Sequence, residues 1–283
     1  MIKIKILYTT VILFMLTFWG CMSYNTVNDF ASTSLNSVKK YEEINYSFKK
    51  NCIDDCQNKK LIDLNISLAD CDCMADARAD SVTMIIYKAI RGYFEGLTNL
   101  SNDELTNYKL DSISKSLSGN DLGSIKFDQK ETEAYSNISS ILLKAFTDGY
   151  RISKIKAYIR QANESVKILT SYLSFNLSAN LNGKIDIQIQ KAEKTCFNLT
   201  KDKTLSTYEK RLSIKDYFID IERMQKIKES INTFAKGLKK IAEGHQKLYD
   251  NLNTLNADEI KVQITQYGSE IKDIISEFNK LGK

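Results

Sequence analysis

Apolar residues recur three and four positions apart along most of this chain, the period of an α-helix rather than of a strand. The clearest run is Met224, Ile227, Ile231, Phe234, Leu238, Ile241, His245, Leu248, Leu252 and Leu255. Every step in it is three or four. Asn256 breaks the run and is placed to cap a following helix, with Asp258 and Glu259 in a first turn where the helix dipole favours negative charge. A second stripe then runs through Ile260, Ile264, Tyr267, Ile271, Ile274, Phe278 and Leu281. Two such stripes joined by a short connection predict an antiparallel helical hairpin.

The same spacing runs upstream through Ile138, Ile141, Ala145, Asp148, Ile152, Ile155, Ile159, Ala162, Val166, Leu169 and Leu173. Asp148-Gly149 interrupts it as a candidate kink, and Asn182-Gly183 reads as a turn. Beyond that, Ile185, Ile189, Ala192, Cys196 and Leu199 continue the stripe. Ile185, Ile187 and Ile189 also alternate, which leaves a strand open, but the longer stripe favours helix. Val82, Ile86, Ala89, Tyr93, Leu97 and Leu100 predict a helix beginning near Ala75. Ser101 and Glu104 have capping-box spacing for a shorter helix to about Ser118. Val27, Phe30, Ser34, Leu35, Val38 and Tyr41 make the stretch from Tyr24 to Lys50 helical. Ile62, Leu64, Ile66 and Leu68 alternate, yet helix is expected there too.

The pattern predicts an all-α protein of some six to eight helices: an elongated bundle with long antiparallel, coiled-coil-like hairpins. Composition strengthens this. The 283 residues include no proline and only 11 glycines, so little interrupts long helices. The run from Ser118 to Gly123 is the strongest loop. It divides the chain into residues 21–118, with a cysteine cluster, and 124–283, the long-helix bundle, expected to pack as one unit.

Residues 1–20 stand apart. Lys3 and Lys5 precede an uncharged apolar run from Ile6 to Trp19, then Gly20 and Cys21. A basic start, a short apolar core and a small residue before the cut describe a signal peptide, and the run is shorter than the ~20 residues of a membrane span. With Gly20-Cys21 the segment resembles the signals of bacterial prolipoproteins. That resemblance implies diacylation of Cys21, the new N-terminus, and a membrane tether. Met22 and Ser23 place no acid after Cys21, which resembles an outer-membrane address in preference to an inner one, with the domain in the periplasm or at the cell surface. Without the resemblance, the segment reads as an uncleaved anchor. Removing Lys3 and Lys5 from the 40 Lys+Arg leaves 38 against 35 Asp+Glu, a net charge of +3. That balance carries no nucleic-acid footprint.

Export implies an oxidising compartment. Besides Cys21, the cysteines are Cys52, Cys56, Cys71, Cys73 and Cys196. The favoured pairing is nested, Cys52 with Cys73 and Cys56 with Cys71, because Cys52 and Cys56 lie one turn apart on one helix face. Each bridge would contribute roughly 3 kcal/mol by loop closure. A zinc site or free thiols are the alternatives, and the spacing suits zinc poorly. Cys196 falls on an apolar seam and reads as a buried free thiol. Asp70, Asp72, Asp76 and Asp80 lack the glycine and glutamate of a calcium loop and read as a helix cap and a solvated first turn.

His245 is the one histidine, which excludes a His-based triad or multi-His metal site within one chain. It fills an apolar slot between Ile241 and Leu248, as a core residue or a pH-sensitive seam residue. Gly237 and Gly244, seven apart, either allow close helix approach or are simply tolerated. No phosphate loop or nucleophile elbow is present. The expectation is therefore a non-catalytic helical interaction or scaffold protein without cofactor or metal. Its partners would be the membrane, through the lipid, and a protein partner or a second copy, through the seams. A membrane-active long-helix protein and an enzyme with a dispersed site are the competing readings.

Overall fold

A computed structural model of the chain describes residues 24–64, 67, 71–101, 128–147, 154–255 and 257–282. Eight α-helices lie among them: α1 (Tyr24–Lys39), α2 (Phe48–Ile62), α3 (Met74–Ser101), α4 (Gln129–Thr147), α5 (Ile155–Phe175), α6 (Asn182–Lys201), α7 (Thr207–Asp250) and α8 (Asp258–Leu281). No strand occurs among the described residues. The all-α, elongated bundle follows from the periodic stripes. Their members Ile159, Leu169, Leu238, Ile241, Leu248 and Ile271 are all buried in one core that joins the N-terminal and C-terminal helices.

The axis of the molecule is α7, with 44 residues, about 65 Å at 1.5 Å per residue. A capping box starts it: Ser206 Oγ accepts from the Glu209 amide, and the Glu209 carboxylate accepts from the Ser206 amide at 2.7 Å. The segment from α5 to α6 runs antiparallel beside it for nearly its whole length. Asn163 bonds Gln246, Asn182 bonds Asn232, Lys228 pairs with Asp186, and Cys196 Sγ lies 4.0 Å from the Ser213 carbonyl. α8 folds back on the other end of α7, with Lys240 paired to Glu270 and Lys236 to Glu277.

α1 fills the middle of the bundle against α3, α7 and α8. Both candidate glycines serve this contact. A Cβ on Gly244 would lie 2.4 Å from Phe30 Cε2, and one on Gly237 2.7 Å from Ser37 Oγ. Phe30 at Gly244, Ser37 at Gly237 and Tyr41 against Phe234 show that α1 runs antiparallel to α7. The N-terminus of α1 therefore lies by the C-terminal end of α7.

The structure corrects four expectations. Asn182-Gly183 is no turn: helix continues from Ile155 to Lys201 through a π segment at Asn176–Leu181. A π segment adds a residue to the turn without breaking the ladder, so the chain keeps its direction. The stretch from Tyr24 to Lys50 is not one helix. A 3-10 turn ends α1, Asn45 takes a left-handed φ of 47°, and Ser47 caps α2. Helix does not extend through Leu64, which has a φ of 51° and is exposed. Finally, Cys196 is a free thiol but is only partly covered. The signal segment, Cys21, Ile66, Leu68, Asp70, Glu104, the loop of residues 118–123, Asp148-Gly149 and Asn256 lie outside the described residues.

Candidate interaction surface

The two cysteine pairs join as the nested spacing predicts, Cys52 to Cys73 and Cys56 to Cys71. They pin α2 to the start of α3. Asp80 of α3 reinforces the clamp by accepting from the Phe48 amide at 2.8 Å, the Lys49 amide at 3.0 Å and the Ser47 hydroxyl at 2.8 Å. Asp72 takes the role of a cap, accepting from the Met74 amide at 3.1 Å, while Asp76 pairs with Lys184. So clamped, α2 lies against the α6–α7 hairpin. Gln188 donates to the Asn51 carbonyl at 2.6 Å, Lys191 pairs with Asp55, and Arg223 lies 3.6 Å from Asp54. The buried Asp54 carboxylate also receives Lys50 at 2.6 Å and Tyr46 at 3.3 Å. Burial first, then the charge of Asp54, pushes the Tyr46 hydroxyl up to about 12, so it stays a donor.

Past Arg223 none of the other described helices covers the hairpin of α6 and α7. Coverage by α1 ends with Tyr41 at Phe234, and α8 reaches about the same level. None of residues 207–223 is buried, four and a half turns of α7 with no core contact of their own. This arm is nevertheless apolar. Tyr208 is 75% exposed, Phe218 63% and Ile219 54%, and Leu212, Ile214, Phe197 and Leu199 are exposed beside them. At the end of α2, Leu61, Ile62 and Leu64 are exposed as well. Isolated exposed apolar residues need no explanation, but a concentration of them at one end of a molecule marks a contact surface.

A shallow groove on α7 organises part of the arm, lined by Arg211, Ile214, Lys215, Phe218, Ile219 and Glu222. The outer section is basic: Lys194, Lys201, Lys203, Lys210, Arg211 and Lys215 outnumber Asp202 and Glu209 within residues 194–215. Both carboxylates are committed locally. Thr204 hydrogen bonds hold the Asp202 carboxyl below its ordinary range, and those of Ser206 do the same for Glu209. Lys201 caps the Phe197 ring at 4.0 Å. The apolar residues of the arm do not fall on one stripe, so helical periodicity does not reveal it. The spacing of Ser206 and Glu209 was the available signal that α7 starts so early.

His245 is the second site of interest, and it is fully enclosed. Tyr93 of α3 donates its hydroxyl proton to Nε2 at 2.7 Å, and Nδ1 donates to Asn163 Oδ1 of α5 at 2.9 Å, roles assigned from the surrounding network. Asn163 donates in turn to Gln246, and Gln246 to Asp250. The histidine thus bonds at both nitrogens as a neutral ring. Burial drives its pKa down to about 3.

No group of three or more His, Cys, Asp or Glu residues is placed to hold a metal ion among the described residues. Nor is any described helix long and apolar enough to cross a membrane. Comparison of the chain with protein-family models, curated proteins and solved structures yields no match.

Proposed function

We propose that this chain is a membrane-tethered helical interaction protein of the bacterial cell envelope, without catalytic activity of its own. A lipid on Cys21 holds it at a membrane, the outer in preference to the inner, and the arm meets its partner in the periplasm or at the cell surface. The observation that carries this reading is the bare apolar arm at the far end of α7 from the start of α1. Tyr24 opens α1 three residues after Cys21, beside the C-terminal end of α7. A tether there and the tip of the arm stand about 65 Å apart along one helix. Two acyl chains, each adding ~0.8 kcal/mol per buried CH₂, would make the tether durable.

Metabolic labelling with a clickable palmitate analogue tests the tether. Label and membrane retention that both vanish in Cys21→Ala support the reading. Unlabelled protein that stays on the membrane in Cys21→Ala contradicts it and makes residues 1–20 an uncleaved anchor.

A further inference from the structure

We infer that the arm pairs with the arm of a second copy of this chain, antiparallel and about a two-fold axis; this rests on the reading of the arm as the interaction surface. The groove-lining positions Arg211, Ile214, Lys215, Phe218, Ile219 and Glu222 are symmetric about the midpoint between Asp216 and Tyr217. Position 211 mirrors 222, 214 mirrors 219, and 215 mirrors 218. Any helix face has this spacing, so the residue types select the mate: laid antiparallel about a two-fold axis, it sets unlike charges together and apolar residues together, in an isologous contact. Arg211 then faces Glu222 of the mate, Ile214 faces Ile219, and Lys215 lies over the Phe218 ring.

The charges are free to do this. Neither Arg211 nor Lys215 has an ion-pair partner among the described residues. Glu222 holds only Lys226, an exposed pair at 3.1 Å that exchanges partners readily.

Other occupants fit less well. A parallel mate sets Arg211 and Lys215 against themselves. An acidic helix or an anionic lipid surface matches Arg211 and Lys215 but meets Glu222 with like charge. About four turns of one helix fall short of the ~800 Å² per partner of a standard interface, so the association is concentration-dependent. In the pair the two bodies point in opposite directions. The starts of the two α1 helices lie at its far ends, so tethered copies would link two lipid surfaces.

The test uses the full chain in detergent, with Cys196→Ser to remove the free thiol, and sedimentation to follow self-association. Arg211→Glu and Glu222→Arg should each weaken it at least ~10-fold, and the double exchange should restore it to within ~3-fold of the parent. Arg211 and Glu222 are exposed, so folding is not at stake in these exchanges. On oxidation, a mixture of Ile214→Cys and Ile219→Cys chains should cross-link while neither does alone. A monomer at every concentration overturns the inference, as do silent single charge changes or an Ile214→Cys chain that cross-links to itself. A monomer captured more strongly by phosphatidylglycerol than by phosphatidylcholine vesicles, with the difference lost in Arg211→Glu, overturns it in favour of an anionic lipid surface. If the chain is monomeric yet palmitate-labelled at Cys21, the self-pairing falls and the tether stands.

Discussion

The hydroxyl of Tyr93 on α3 and Nε2 of His245 on α7 meet at 2.7 Å in the closed interior of the bundle. The contact has a direction. With Nδ1 donating to Asn163, only Nε2 is left to accept, and Tyr93 must donate. Protonating His245 would make both ring nitrogens donors, so the Tyr93 hydroxyl could only accept and its own proton would lose its partner in the closed interior.

Stability should therefore depend on acid through this one ring. Its folded pKa of about 3 lies below the ordinary 6.5. Below about pH 6.5 the unfolded chain binds a proton that the folded chain refuses. The stability contributed is full above that pH and drains away as pH falls towards 3. By pH 4.5 the loss is about 3 kcal/mol. Denaturant melts of wild type and His245→Gln should diverge in slope over this window, the variant being flatter. Parallel slopes would show that His245 titrates normally.

Gly244→Ala should destabilise the protein. The added methyl meets the Phe30 ring, itself packed against Phe94 at a centroid distance of 6.3 Å. Overpacking of this kind costs about 1–3 kcal/mol, against ~1 kcal/mol gained in helix propensity. Thermal melts should show a lower midpoint for Gly244→Ala and almost none of the effect for Gly268→Ala, where a Cβ meets nothing within 4 Å. Equal midpoints would mean that α1 does not sit so close on α7.

The bridges should matter for α2 more than for the rest. The inner loop spans 15 residues, for which closure is worth about 3 kcal/mol. Reduction should speed hydrogen exchange in α2 and at the start of α3, and leave the α7–α8 seam protected. Uniform loosening would place the cysteine cluster inside the main cooperative unit.

The arm should tolerate what the core does not. Phe218→Ser, at an exposed position, should shift stability by no more than ~0.5 kcal/mol. Leu238→Ala, in the core, should cost about 2–5 kcal/mol. Chemical melts of the two variants check this directly, and a large loss from Phe218→Ser would show that the arm is packed.

The core of this fold is legible in the sequence because a buried helix face must repeat every three or four residues. The run from Ile231 to Leu255 could be read residue by residue for that reason. The nested disulfides were legible from the one-turn spacing of Cys52 and Cys56. Elsewhere, local signals pointed the wrong way. Asn182-Gly183 resembles a turn, but Asn182 is buried against α7 and bonded to Asn232, and helix continues through the pair. Cys196 sits on the extension of a real stripe, yet the neighbours that would bury it end near Arg223. Exposure of Phe218 and Ile219 depends on where α1 and α8 stop, which no periodicity within α7 records.

If a membrane holds the N-terminus as proposed, the arm stands away from it. In lipid vesicles bearing the full chain, a fluorophore on Lys203→Cys in a Cys196→Ser background can be exposed to spin-labelled lipid headgroups. The account predicts no quenching there, and strong quenching of a fluorophore on Asn25→Cys beside the start of α1. Quenching at Lys203 comparable to that at Asn25 would lay the arm on the bilayer and contradict the account.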